Sequence, residues 1–125
     1  MEKILPQPFT IRARLNSFGY AFRGLARFFQ EELNARIHLL ATLIVVIAAL
    51  LLPVSRAEVV ALVIVTGFVW AAEAFNTVIE RLVDIVHPGW HPKAGYIKDL
   101  AAGAVLLASI TALITGAIIF IPKIF

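Results

Sequence analysis

Three apolar stretches, at about residues 37–52, 59–72 and 100–121, decide what this chain can fold into. Of its 125 residues, 61% are hydrophobic and 15% charged, against roughly 45–50% and 25% in ordinary soluble domains. A soluble fold of this length has too little interior for so many Leu, Ile, Val and Ala side chains. Lipid is therefore expected to be the solvent for much of the surface. The third stretch alone crosses a hydrocarbon layer of about 30 Å at about 1.5 Å per residue. The first two reach that length only when their polar ends, 32–36 and 73–84, are counted as helix. The expectation is an all-α membrane protein with three transmembrane helices, at approximately 32–52, 58–86 and 98–121. Pro53 stops the first. His87-Pro88-Gly89-Trp90-His91-Pro92 breaks the second and opens a loop, with Trp90 at headgroup level.

Ahead of the spans, Ile11, Leu15, Phe18, Phe22, Leu25 and Phe29 recur within roughly 80° of one helical face, while Arg12, Arg23 and Arg27 lie off it. Residues 11–30 read as an amphipathic helix in the membrane interface, its arginines reaching phosphate headgroups. A helix packed on a protein partner is the alternative. Residues 1–10, with Pro6 and Pro8, are expected to be a flexible start and carry no secretory-signal pattern.

Basic residues set the orientation. Six precede or open the first span (Lys3, Arg12, Arg14, Arg23, Arg27 and Arg36), and Arg81, Lys93 and Lys98 lie between the second and third. Only Arg56 and Lys123 lie at the opposite ends. The N-terminus and the 81–99 connector should face the cytoplasm. The net charge of +3 is thus read as membrane orientation, and no nucleic-acid partner is expected. There is no cysteine, which excludes disulfides and thiolate metal sites.

The chemistry concentrates in Glu73-Ala-Phe-Asn76-Thr-Val-Ile-Glu80-Arg-Leu-Val-Asp84. Offsets of 0, 3, 7 and 11 fall within roughly 80° of arc, so four polar side chains share one face. A carboxylate at the centre of a spanning helix costs about 2.5–3.5 kcal/mol, less toward the interface. Such a stripe calls for positive charge in front of it. Glu32, Glu73, Glu80 and Lys98-Asp99 are distant in sequence but share one membrane side, and so outline a site. No Walker-type, dinucleotide-type or soluble-kinase loop is present, nor a Ser/His/Asp set, nor H-E-x-x-H. Carboxylate oxygens with one lysine and one amide remain. Hard oxygen ligands suit magnesium bound together with substrate phosphates, and phosphoryl transfer asks for little beyond positioning, charge neutralisation and a base.

Four segments now carry a resemblance: Gly19-Tyr20-Ala-Phe-Arg-Gly24-Leu25, Glu32-Leu-Asn34-Ala-Arg36-Ile-His38, the acidic stripe, and Lys98-Asp99-Leu-Ala-Ala-Gly103-Ala-Val-Leu. In order and spacing they resemble the small integral-membrane diacylglycerol kinases of bacteria. The Asn34…Arg36-Ile-His38 variant and the Phe120-Ile-Pro-Lys123-Ile ending are most similar to the undecaprenol kinase branch. The resemblance implies one kinase domain over 11–125, a homotrimer whose sites are shared between subunits, and a place in the bacterial inner membrane with a cytoplasmic active site. It further implies transfer of the γ-phosphoryl group of ATP, with Mg2+, to a lipid hydroxyl. By matching position, Glu73 resembles the general base, and Glu32 and Glu80 the metal ligands that hold the nucleotide phosphates. Asn76 and Arg36 fall on the substrate side, Lys98 on phosphate, and Asp99 on the nucleotide or that lysine. Tyr20 and His91 match nucleotide-side positions. Gly95-Tyr96-Ile97 departs from the family's usual small residue before the lysine. Undecaprenol is the expected acceptor and diacylglycerol the alternative.

Rival readings exist for the same residues. Glu73 and Glu80 as a solvated helix end, Glu32 paired with Arg36, and Asp84 as helix-end solvation are the plain ones. His38 reads as a satisfied histidine on an apolar span, and the Gly103, Ala108, Gly116 face as a packing surface. From a different class, an ion-coupled transporter subunit predicts a carboxylate near the bilayer midplane, whereas these acids cluster at one face. A non-catalytic assembly protein leaves that convergence unexplained.

Overall fold

The computed structural model describes residues 9–125. The expected flexible start lies, apart from Phe9 and Thr10, outside the described residues. Among the described residues there are four α-helices and no strand: α1 (Ile11–Glu31), α2 (Leu33–Leu51), α3 (Arg56–Val86) and α4 (Pro92–Ile124). The last three are long and apolar enough to cross a membrane, and the protein is an all-α membrane protein. Two compact units are distinct, one running to Leu33 and the other from Asn34 to Phe125.

In the first unit, Thr10 caps α1 by accepting a hydrogen bond from the Ala13 amide at 3.1 Å, which satisfies one of the free donors of the first turn. Of the apolar stripe read from the sequence, Ile11, Leu15, Phe18, Phe22 and Leu25 are exposed and Phe29 is half-buried. The polar residues tie among themselves. Arg27 and Glu31 pair at 3.0 Å one turn apart, Arg23 lies over the Tyr20 ring at 5.2 Å, and Arg14 lies over Phe9 at 4.8 Å. The helix ends where Glu32 turns extended, at φ −103° and ψ 119°.

In the second unit, α3 and α4 pack along one another. The residues of α3 that become buried, Leu62, Val69, Glu73, Asn76 and Thr77, fall on one face at the helical period. That face is apolar through Val69 and polar from Glu73 onward. At about 1.5 Å per residue, the 31 residues of α3 extend about 46 Å against a hydrocarbon layer of about 30 Å. Its polar last turns can therefore stand outside the layer. Large apolar side chains elsewhere are exposed, Leu107 and Ile118 at 70% among them, and so present hydrocarbon to hydrocarbon. Between α3 and α4 an apolar groove of about 650 Å3 is lined by residues including Phe68, Phe75, Leu107 and Thr111.

Both ends of the α3–α4 pair are fastened by charge. Lys98 Nζ donates to Asp84 Oδ1 at 2.7 Å, and Lys123 Nζ to Glu58 Oε1 at 3.0 Å. Glu58 has a second task. Its carboxylate accepts from the Ser55 amide at 2.8 Å while Ser55 Oγ accepts from the Glu58 amide at 3.2 Å, a reciprocal cap that starts α3 two residues before the expected 58. Ser55→Ala should cost about 1 kcal/mol of stability. In detergent, the thermal unfolding midpoint is expected to fall by a few degrees with helical content unchanged; an unmoved midpoint would remove the cap from the account.

The fourth helix differs most from expectation. It begins at Pro92 rather than 98, because proline's fixed φ suits the first helical turn and the His91 imidazole accepts from the Lys93 amide at 3.1 Å. Gly95-Tyr96-Ile97 is therefore helix, not loop. Its far end runs past 121 to Ile124 with Pro122 inside; in a last turn proline forfeits only its own donor and strains one carbonyl. A Cβ built on Gly103 meets nothing within 4 Å, and one on Gly116 meets only Phe120 at 4.0 Å. Within the chain, neither glycine is needed for close helix packing.

Candidate active site

The acidic stripe of α3 is covered by different elements along its length. Glu73 is 2% exposed, the largest fully buried side chain. Its carboxylate faces α2, where His38 Nε2 stands 3.6 Å from Oε2. Asn76, one turn on, is also buried and donates from Nδ2 to Glu80 Oε1 at 3.3 Å. Glu80 is half-buried and Asp84 exposed. The stripe thus runs from sealed to open, and its open end meets α4 through the Asp84–Lys98 pair.

A second network holds α2 against this face. Trp70 Nε1 donates to Thr42 Oγ1 at 3.0 Å, and Thr42 Oγ1 donates to the His38 carbonyl at 2.7 Å. The His38 and Trp70 rings meet edge to face with centroids 6.2 Å apart. Trp70 lies three residues before Glu73 and Thr42 four after His38, so each helix offers one anchoring and one chemical residue on a shared face.

The other residues expected to matter are placed less centrally. Arg36, Asp99, Tyr20 and His91 are exposed, and Glu32, half-buried, lies in the first unit with Tyr20. His91 already caps α4 and leans on His87 at 5.1 Å between centroids. Lys98 is oriented by Asp84, not by Asp99, which follows it on the helix and points about 100° away. Sequence reading missed the parts played by His38, Thr42 and Asp84. A signal for the first two was available: a histidine and a threonine one turn apart in an otherwise apolar span.

Among the described residues no three His, Cys, Asp or Glu side chains gather as a metal cluster. The donor set nonetheless suits a hard divalent cation that brings its own phosphate ligands. The Asn76 Oδ1 oxygen is buried with no hydrogen-bond partner, beside the Glu80 carboxylate. An orphaned buried acceptor is costly and rare, and a cation or a donor group on a ligand would satisfy it. Oxygen donors of this kind fit magnesium, which uses few protein ligands.

Residues 19–120 match the family model described as prokaryotic diacylglycerol kinase. The chain is 39% identical to the diacylglycerol kinase of Synechocystis sp. over 86% of its own length, spanning 62% of that longer protein. It is 36% identical to the undecaprenol kinase of Bacillus subtilis, covering 86% of this chain and 87% of that one. The diacylglycerol kinase of Escherichia coli is 32% identical, over 84% of this chain and 86% of the relative. With the family match spanning most of the chain, and these relatives alike over most of it, the chain belongs to the prokaryotic diacylglycerol kinase family, a family of lipid kinases.

Proposed function

We propose that this chain transfers the γ-phosphoryl group of ATP to the hydroxyl of a membrane lipid, with undecaprenol as the acceptor. The observation that carries this reading is a sealed carboxylate, Glu73, on a membrane-crossing helix one turn from a buried amide with a free acceptor oxygen. In that position Glu73 takes the proton of the attacking hydroxyl, and Asn76 holds the reacting groups in line. Glu80 and Asn76 hold magnesium, with Glu32 as the second carboxylate ligand that the family resemblance assigns. When bound, the ion offsets charge on the phosphate oxygens. Lys98 contacts phosphate once Asp84 yields it, and Tyr20, His91 and Asp99 serve the nucleotide, with Arg36 on the lipid side.

The active enzyme is proposed to be a homotrimer with shared sites, in the plasma membrane of a bacterium. Its N-terminus and site face the cytoplasm, where the basic residues concentrate, and α1 lies in the interface with its exposed apolar stripe in the lipid. Undecaprenol is favoured on the Asn34…Arg36-Ile-His38 segment and the Phe120-Ile-Pro-Lys123-Ile ending, supported by 36% identity to the Bacillus undecaprenol kinase against 32% to the Escherichia coli diacylglycerol kinase at comparable coverage. The test offers purified protein labelled ATP with undecaprenol or diacylglycerol in mixed micelles. A kcat/KM at least tenfold higher for undecaprenol is expected. The reverse preference would assign diacylglycerol, and label in neither lipid would overturn the kinase reading.

A further inference from the structure

We propose that His38 is the proton partner of Glu73, orienting its carboxylate and taking from it the proton gained from the lipid hydroxyl. This rests on the reading of Glu73 as the base. A base that ends the step protonated has to discharge before the next turnover, and Glu73 is sealed at 2% exposure. His38 is the one basic side chain within 4 Å of that carboxylate among the described residues, and its own side chain is 20% exposed. It touches the buried acid, is not itself sealed, and lies about 8 Å along α2 from Leu33, at the end proposed to face the cytoplasm. The 3.6 Å separation exceeds a hydrogen bond but lies within ion-pair range, and such contacts tighten when substrate is bound. The Trp70–Thr42–His38 brace fixes the turn of α2 that carries the ring, so the approach is built into the helix pair.

The atoms balance. The lipid O–H bond breaks as its oxygen forms the new bond to phosphorus, and the bond from phosphorus to the bridging oxygen of ATP breaks, leaving ADP with that electron pair. The proton goes to a Glu73 oxygen and then to the lone pair of His38 Nε2. Carboxylate and imidazolium remain paired until the imidazolium gives its proton to water.

The experiment measures kcat and both KM values for His38→Ala and His38→Gln beside Glu73→Gln. His38→Ala should lose about tenfold or more in kcat, with KM for ATP and lipid within about twofold, and added imidazole should restore turnover as its concentration rises. His38→Gln, which fills the space without a proton-accepting nitrogen, should be equally slow and indifferent to imidazole. A wild-type kcat in either folded variant, or a slow His38→Ala that imidazole leaves unchanged, would overturn the proposal. Should His38→Ala fail to fold, the kcat of His38→Gln decides alone. Substantial turnover in Glu73→Gln would instead strike down the reading of Glu73 beneath it.

Discussion

Glu73→Gln is expected to lower kcat by roughly a thousandfold or more while leaving nucleotide binding and the fold in place. General-base contributions span about 10²–10⁴-fold, and a base in a sealed site has no solvent substitute, which puts this one toward the upper end. The substitution keeps shape and removes charge. Since an ionised carboxylate is costly to bury, its loss should not unfold the helices, and the thermal midpoint is expected to hold or rise. The KM for ATP should stay within about threefold, because Glu73 faces the hydroxyl rather than the phosphates in the proposed arrangement. Initial rates with saturating lipid, set beside calorimetric binding of an ATP analogue, separate the two effects. A kcat within tenfold of wild type would remove Glu73 from the mechanism. A collapse of nucleotide binding instead would move it to the phosphate side.

Much of this arrangement was legible in the sequence because both helical period and hydropathy are local. Three spans follow from apolar length, and the shared face of Glu73, Asn76 and Glu80 from offsets of three and seven. Thr10, Ser55 and Glu58 set helix starts by chemistry contained within four residues, a local signal that the expected start at 58 does not use. Pairing between helices is a different matter. That His38 meets Glu73, or that Lys98 chooses Asp84 over its neighbour Asp99, depends on how helices lie against each other, and no periodicity carries that information. Asp84 was visible as the last member of the stripe, yet only the approach of α4 turns helix-end solvation into a partner for Lys98. The start of α4 was misplaced for a physical reason too. Two prolines around Gly89-Trp90 read as a broken loop, but Pro92 occupies the one part of a helix where its missing donor costs nothing.

The second large effect is expected at Glu80, and it differs in kind. Glu80→Ala removes a proposed magnesium ligand and also leaves the buried Asn76 amide without the carboxylate it donates to at 3.3 Å. Two losses add here: the anionic oxygen that draws the cation, and the fixed orientation of the Asn76 oxygen beside it. A supporting group of this kind commonly tunes metal affinity by about 10–100-fold, and a direct ligand should do no less. The magnesium concentration for half-maximal rate should therefore rise at least tenfold. At low magnesium, kcat/KM for ATP should fall roughly a hundredfold, equivalent to about 2.7 kcal/mol of transition-state stabilisation. Raising magnesium should recover part of that loss in Glu80→Ala and none in Glu73→Gln, because mass action can refill a weakened site but cannot replace a missing base. Asn76→Ala then serves as the companion measurement, expected to shift the magnesium dependence in the same direction by a smaller factor. A magnesium titration of Glu80→Ala superimposable on wild type would take Glu80 out of the metal site and leave its contact with Asn76 as its whole role.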